Sequence, residues 1–236
     1  MNMRNDGFII DTPGKPLEGI QLNAVMRNVY GWMTMGLLVT AAMALAVSNM
    51  GFFPSQGIMF LAIFAQLGIV IGLSWAINRI SATMAGMLFF IYAAVTGFTF
   101  SIFFLVFDIG SIAAAFLSTA GVFGAMTVYG LTTKTDLTKM GSYLMMGLFG
   151  LIIASIVNIF LGSSMIDFLV SIAGVLIFTG LTAWDTQRIA AMAATRKMKV
   201  DSDDTLKFSI MAALTLYLDF INLFIFMLRI FGGGRD

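Results

Sequence analysis

The chain has 236 residues; 59% are apolar or aromatic and 11% are charged, as 13 Lys and Arg against 12 Asp and Glu. An ordinary soluble domain carries about 25% charged residues, so a soluble globular protein and a disordered chain are both excluded: too little polar surface exists to cover this much apolar side chain in water. With no Cys and no His, disulfides, thiolate nucleophiles, histidine zinc sites, Ser-His-Asp triads and imidazole pH switches are excluded too, and a net charge of +1 offers nucleic acid nothing.

Residues 1–24 read as a polar tail on the cytoplasmic side. Arg4, Asp6, Asp11, Lys15 and Glu18 interrupt it, and it has no apolar stretch long enough for a secretory signal. From 25 to 236 the chain reads as one membrane domain. A transmembrane helix needs about 20 apolar residues, and seven such stretches follow, at about 28–48, 57–77, 83–106, 111–131, 142–161, 166–190 and 208–230. Polar breaks separate them, among them Ser48-Asn49, Asn78-Arg79, Asp108, Thr132 to Asp136 and the charged loop from Arg196 to Asp204. The runs lack the alternation of a membrane β-barrel, so the expected fold is an all-α integral membrane protein with seven transmembrane helices.

The basic residues test that count. With the N-terminus in the cytoplasm, Arg4, Lys15, Arg27, Arg79, Lys134, Lys139, Arg188, Arg196, Lys197, Lys199 and Lys207 fall inside, and only Arg229 and Arg235 outside. This is the positive-inside asymmetry, and it puts the N-terminus in the cytoplasm. The last stretch contains Asp219, and a re-entrant segment there would satisfy the charge rule equally. Its length favours a full span. Small residues are expected at helix contacts: the Gly68/Gly72 pair in the second span and Ala41, Ala42, Ala44 and Ala46 in the first.

Two acids stand apart from the solvated charges. Asp219 lies 12 residues past Lys207, about 18 Å along a helix and so deep in a hydrocarbon layer of ~30 Å. Asp185 lies toward the inner end of the sixth span. Each is 17 positions from Ser202, so an antiparallel hairpin about that loop brings them to similar depth. Two carboxyl groups in apolar surroundings do not both ionise; the stable arrangement shares one proton and titrates as a unit. Such a pair is a proton-operated latch, holding the last two spans together when protonated and releasing them when charged. The plainer alternatives are an Asp185–Arg188 pair one helical turn apart and a structural role for Asp219, although a mid-span acid is costly. Arg79 is the candidate counter-ion. Asn222, one turn from Asp219, and Asn158, in the middle of the fifth span, are candidates for a polar path or for interhelical hydrogen bonds.

At these residues the chain resembles the Bax inhibitor-1 family of transmembrane proteins, its bacterial branch in particular. The stretches are Val29-Tyr30-Gly31-Trp32-Met33, Thr96-Gly97-Phe98-Thr99, Tyr129 to Asp136, Gly150 to Asn158, Trp184-Asp185 and, most specific, Leu216-Tyr217-Leu218-Asp219-Phe220-Ile221-Asn222-Leu223-Phe224. The resemblance implies six helices packed around a central C-terminal helix at 208–230, and an aspartate pair, here Asp185 and Asp219, acting as a pH-sensitive gate. It implies calcium as the transported ion, an arginine matching Arg79, and no enzymatic activity or cofactor. Beyond the lipid bilayer and calcium, it implies a membrane-protein partner, since eukaryotic members suppress cell death and some bacterial ones modulate a membrane protease.

Three functions compete. A pH-gated cation leak follows from the acid pair, since oxygen ligands suit a hard ion such as calcium; the residues alone do not choose calcium. A membrane regulator without transport presents the same helix surfaces. An intramembrane aspartyl protease is disfavoured because the second acid sits in Leu216-Tyr217-Leu218-Asp219 and not in Gly-x-Gly-Asp. A retinal protein is excluded because no Lys lies within a span.

Overall fold

The computed structural model describes residues 19–52, 54–195 and 202–232. The expected tail up to residue 18 and the basic residues Arg196, Lys197, Lys199 and Arg235 lie outside the described residues. Eight helices follow one another: α1 (Gly19–Asn49), α2 (Gln56–Ala76), α3 (Ala82–Phe100), α4 (Phe103–Val106), α5 (Ile109–Thr132), α6 (Thr138–Leu161), α7 (Ser164–Thr195) and α8 (Asp203–Phe231). Counting α3 and α4 as one, seven are long and apolar enough to cross a membrane. The short α4 arises where Ser101 turns its hydroxyl onto the Phe98 carbonyl at 2.7 Å and the third span breaks.

The polar breaks in the sequence act as helix caps. Ser81 and Ser202 accept from the backbone N–H groups of Met84 and Thr205, as N-caps do. Asp108 caps α5 by accepting from the Ser111 N–H at 2.9 Å and the Ser111 hydroxyl at 2.6 Å. Those bonds from the Ser111 side chain and backbone hold the exposed Asp108 carboxyl below its usual range, so its contribution is present at neutral pH and is lost only as pH falls through that depressed value. At the end of α6, Gly162 takes the left-handed conformation, φ 61°, that glycine adopts without steric cost.

The bundle is organised around α8. Of its span 72% is buried, against 6% for α2 and for α6, which identifies the hub. α1, α3, α5 and α7 pack directly on it, while α2 lies outside against α3 and α6 outside against α7. The expected ring of six is therefore an inner four and an outer two. Exposed Leu61, Trp75, Ile159 and Phe160 face where lipid lies, and intrahelical bonding satisfies the backbone beneath them. α8 runs the full thickness. At its start Asp203 Oδ1 accepts from the N–H of Ala82, the first residue of α3, at 3.0 Å. At its end Arg229 pairs with Asp167, in the first turn of α7, at 3.2 Å. Those partners lie at opposite ends of the bundle, so the last helix is a complete span and not re-entrant.

Close packing uses glycines other than the expected pair. A Cβ at Gly68 or Gly72 would meet nothing within 4 Å, because both sit on the outer helix α2. Of the four α1 alanines only Ala44 is buried. Two glycines lie against the backbone of another helix, Gly97 of α3 against the Thr40 carbonyl of α1 and Gly130 of α5 against the Ala183 carbonyl of α7, while Gly141 and Gly174 make room for the rings of Trp184 and Phe226.

A buried hydroxyl bond ties the hub to α1. The Tyr217 oxygen is 2.6 Å from Thr40 Oγ1. The Thr40 hydrogen already serves the Gly36 and Ala93 carbonyls, both at 3.0 Å, so Tyr217 is the donor. Tyr217→Phe leaves that Thr40 lone pair unfilled, and thermal unfolding in detergent should show a loss of about 1 kcal/mol; an unchanged midpoint would rule the bond out as a support.

Candidate functional site

The site grows from four consecutive polar residues inside α7: Asp185, Thr186, Gln187 and Arg188. Successive helical residues turn through about 100°, so the four face different neighbours. Asp185 meets Asp219 on α8. Thr186 lies against Gly130 of α5. Gln187 straps the α5–α6 loop, donating from Nε2 to the Thr135 carbonyl and accepting at Oε1 from the Leu137 N–H, each at 2.9 Å. Arg188 lies over the Trp184 ring, 5.3 Å from its centroid, and lines two cavities, of about 700 and 560 Å³. Gln187→Leu removes both strap bonds at about 1 kcal/mol each. Hydrogen exchange at the Leu137 amide should accelerate by more than tenfold, and an unchanged rate would show that the loop does not depend on the strap.

The larger cavity opens between the α2–α3 turn, α7 and α8. Its walls include Asn78, Asp185, Arg188, Asp204, Lys207 and Thr215. This end of the bundle also carries Arg27, Arg79, Lys134 and Lys139 and is its basic end. The cavity reaches Asp185, whereas Asp219 is not on its wall. Toward the opposite end lies a separate cavity of about 250 Å³, lined by Phe100, Phe103, Phe116, Phe220, Phe224 and other almost wholly apolar groups. Asp219 thus stands between this polar vestibule and the aromatic-lined cavity.

Both acids are buried, Asp185 at 7% exposure and Asp219 at 5%. Asp219 is mid-helix, about 24 Å along α8 from Asp203 and about 18 Å from Phe231. Its Oδ2 is enclosed without an ordinary hydrogen-bond donor; the group acting on it, through charge and side-chain hydrogen bonding, is the Asp185 carboxyl. Two carboxyl groups in contact can hydrogen-bond to each other only when at least one of them carries a proton.

The other candidates fall elsewhere. The cation whose charge acts on Asp185 is Arg188, without an ion pair between them among the described residues. Arg79 does not occupy the counter-ion position: it is exposed and stacks on Trp75, 4.6 Å from the ring centroid, because α2 is an outer helix. Asn222 turns its amide back to donate to the Leu218 carbonyl of its own helix at 2.8 Å. Asn158 is not in mid-span. It lies three residues before the end of α6 and accepts the Ser163 N–H at 3.1 Å, so it closes a helix end remote from the vestibule. Sequence reasoning did not find the Gln187 strap, the vestibule walls or the Tyr217–Thr40 bond. The signal for the first was the unbroken polar run 185–188 within an apolar span.

Among the described residues, no group of three or more acidic side chains is arranged to hold a metal ion. A family profile described as "Inhibitor of apoptosis-promoting Bax1" matches residues 22–236. The chain is 46% identical to the inner membrane protein YbhL of Escherichia coli over 95% of this chain and 97% of that protein. It is also 46% identical to an uncharacterized protein of Borreliella burgdorferi, over 97% of this chain and all of the relative. An uncharacterized protein of Rickettsia prowazekii is 42% identical over 91% of this chain and 92% of the relative.

Proposed function

Because this chain belongs to the Bax inhibitor family of multi-pass membrane proteins, we propose that it is a pH-sensitive cation leak of the bacterial inner membrane, gated by Asp185 and Asp219, with calcium as its cation. The carrying observation is the vestibule that ends at Asp185 with Asp219 enclosed behind it. In this reading the basic end faces the cytoplasm, which the Lys and Arg asymmetry supports.

In this reading the closed state shares a proton between the two acids and keeps α7 against α8. As pH rises the second carboxyl ionises. Like charges in contact repel by about 4 kcal/mol at an effective dielectric near 20, enough to part the two helices and join the vestibule to the aromatic-lined cavity beyond Asp219. The ionised pair then offers carboxylate oxygens to a hard cation. Arg188, parked on Trp184, is a positive charge on the vestibule wall, where Lys207 is already paired with Asp203.

The test is calcium entry into dye-loaded liposomes containing the purified protein, from pH 5 to 8, for wild type, Asp185→Asn and Asp219→Asn. Flux rising with pH in the wild type supports the reading. No flux above that of empty liposomes at any pH overturns it, and a stoichiometric membrane partner recovered with such an inactive protein would favour a non-transporting regulator.

A further inference from the structure

The cavity of about 560 Å³ beside the α5–α6 loop takes no part in the gate. Lys134 and Asp136 of the loop line one side of it, and Trp184, Arg188, Ala191 and Met192 of α7 line the other. The gap between them is set by two bonds. Gln187 donates to the Thr135 carbonyl and accepts from the Leu137 N–H, so the loop on either side of Asp136 is tied to α7 and Lys134 is presented opposite Arg188. The Trp184 ring is held too, in the space that Gly141 leaves on α6, and Arg188 lies over that ring.

Two cations thus share one cavity, and neither has an ion-pair partner among the described residues. Asp136 lines the same cavity but pairs with neither. Its Oδ1 accepts the Thr138 N–H at 2.9 Å, the turn an Asp makes with its own backbone two residues on. With two cations against one acid the wall stays positive.

The donors select the ligand. A guanidinium offers a planar fork that matches the paired oxygens of a phosphate, and an ammonium adds three further donors. Neither can accept a hydrogen bond, so the occupant is an anion rich in oxygen. The volume falls within the range of about 300–1,000 Å³ usual for small-molecule sites, and Trp184, Ala191 and Met192 give one wall an apolar face. The cavity lies at the basic end of the bundle, where α5 ends at Thr132 and α6 begins at Thr138. That is the level at which the headgroups of a bilayer meet the helices, and basic pockets between spans attract anionic ones. We propose that this cavity binds the phosphate of an anionic phospholipid between Lys134 and Arg188, with Trp184 beside the apolar part of the lipid. Arg188 also lines the vestibule, so the phosphate holds on the lateral side a cation that borders both cavities. The inference rests on this cavity and stands whether or not the protein passes ions.

Native mass spectrometry of the full chain, released from detergent with increasing phosphatidylglycerol, counts the bound lipid. One phosphatidylglycerol is expected to bind more tightly than phosphatidylcholine. Lys134→Gln and Arg188→Gln should each weaken it about fivefold. Arg79→Gln removes an exposed cation of the same end that stacks on Trp75, outside the cavity, and should leave binding unchanged. Lys134 is exposed on a loop, so its variant carries the test if Arg188→Gln does not fold. Competition with inorganic phosphate separates the two sources of the anion: retention of the lipid supports the proposal, and its displacement would assign the cavity to a soluble phosphate compound and overturn the lipid. Equal binding of the two lipids, or a loss in Arg79→Gln as large as in the two cavity variants, would overturn the site.

Discussion

Replacing Asp219 by Asn is expected to flatten the dependence of cation flux on pH. Asparagine keeps the shape of the side chain and can donate to Asp185, so α7 and α8 remain joined, but no second charge can form in the contact. Placing a carboxylate at the centre of a membrane helix costs about 2.5–3.5 kcal/mol. At 1.4 kcal/mol per tenfold, that energy gives wild-type flux a range of roughly 100-fold across the titration, rising with pH. Asp219→Asn should confine the range to a few-fold and hold flux at the low, acid-side level. Asp185→Asn removes the repelling neighbour and leaves the mid-helix acid, so part of the range should survive. The comparison is made on one liposome preparation with calcium dye, with orientation and protein content matched. Full pH dependence in Asp219→Asn would end the gate reading, because no other buried acid on α8 could supply it.

The second large effect is expected at Gly130. A Cβ there would run into the Ala183 carbonyl and press on Thr186, and backbone cannot swing aside as the end of a side chain can. Even Gly130→Ala should therefore cost about 1–3 kcal/mol, read as a lower thermal midpoint in detergent and loss of monodispersity. Gly97→Ala, against the Thr40 carbonyl, should behave alike. Gly68→Ala and Gly72→Ala should stay within about 0.5 kcal/mol, since nothing lies near either position. Gly130→Ala should also disturb the pH profile, because Ala183 is two residues from Asp185, whereas Gly97→Ala should lower stability with the profile intact. Equal tolerance at all four glycines would refute this account of the α5–α7 seam.

The spans were legible because length and polarity decide them one segment at a time. An apolar run of about 20 residues between caps has one outcome in a bilayer, and Ser81, Asp108 and Ser202 mark the boundaries. The contact between Asp185 of α7 and Asp219 of α8 was legible from depth. What depth cannot reveal is the direction a side chain faces. Arg79 and Arg188 both lie toward the basic end, but α2 is outside the ring and α7 inside it, so only Arg188 acts on the pair. The same blindness to helix placement led to Gly68 and Gly72, which share a face that meets no helix. The hydroxyl bonds depend on rotamers and neighbours from three or four helices, and no spacing in a single stretch encodes them.

The central position of α8 has a consequence for how the molecule is made. A chain emerging from the ribosome delivers its segments in order, and earlier parts begin to organise before later ones exist. Here α1, α3, α5 and α7 enter the membrane before the helix they enclose. Until α8 arrives, the faces meant for Leu216, Tyr217, Leu223 and Leu228, all nearly inaccessible in the finished bundle, must be covered by lipid or by the translocation machinery. The polar atoms that α8 completes, Thr40 among them, wait with their surroundings unfinished. The bundle therefore closes only when α8 docks, and a chain truncated before Asp203 would leave α1, α3, α5 and α7 around an empty axis. The architecture makes the arrival of α8 a condition of folding.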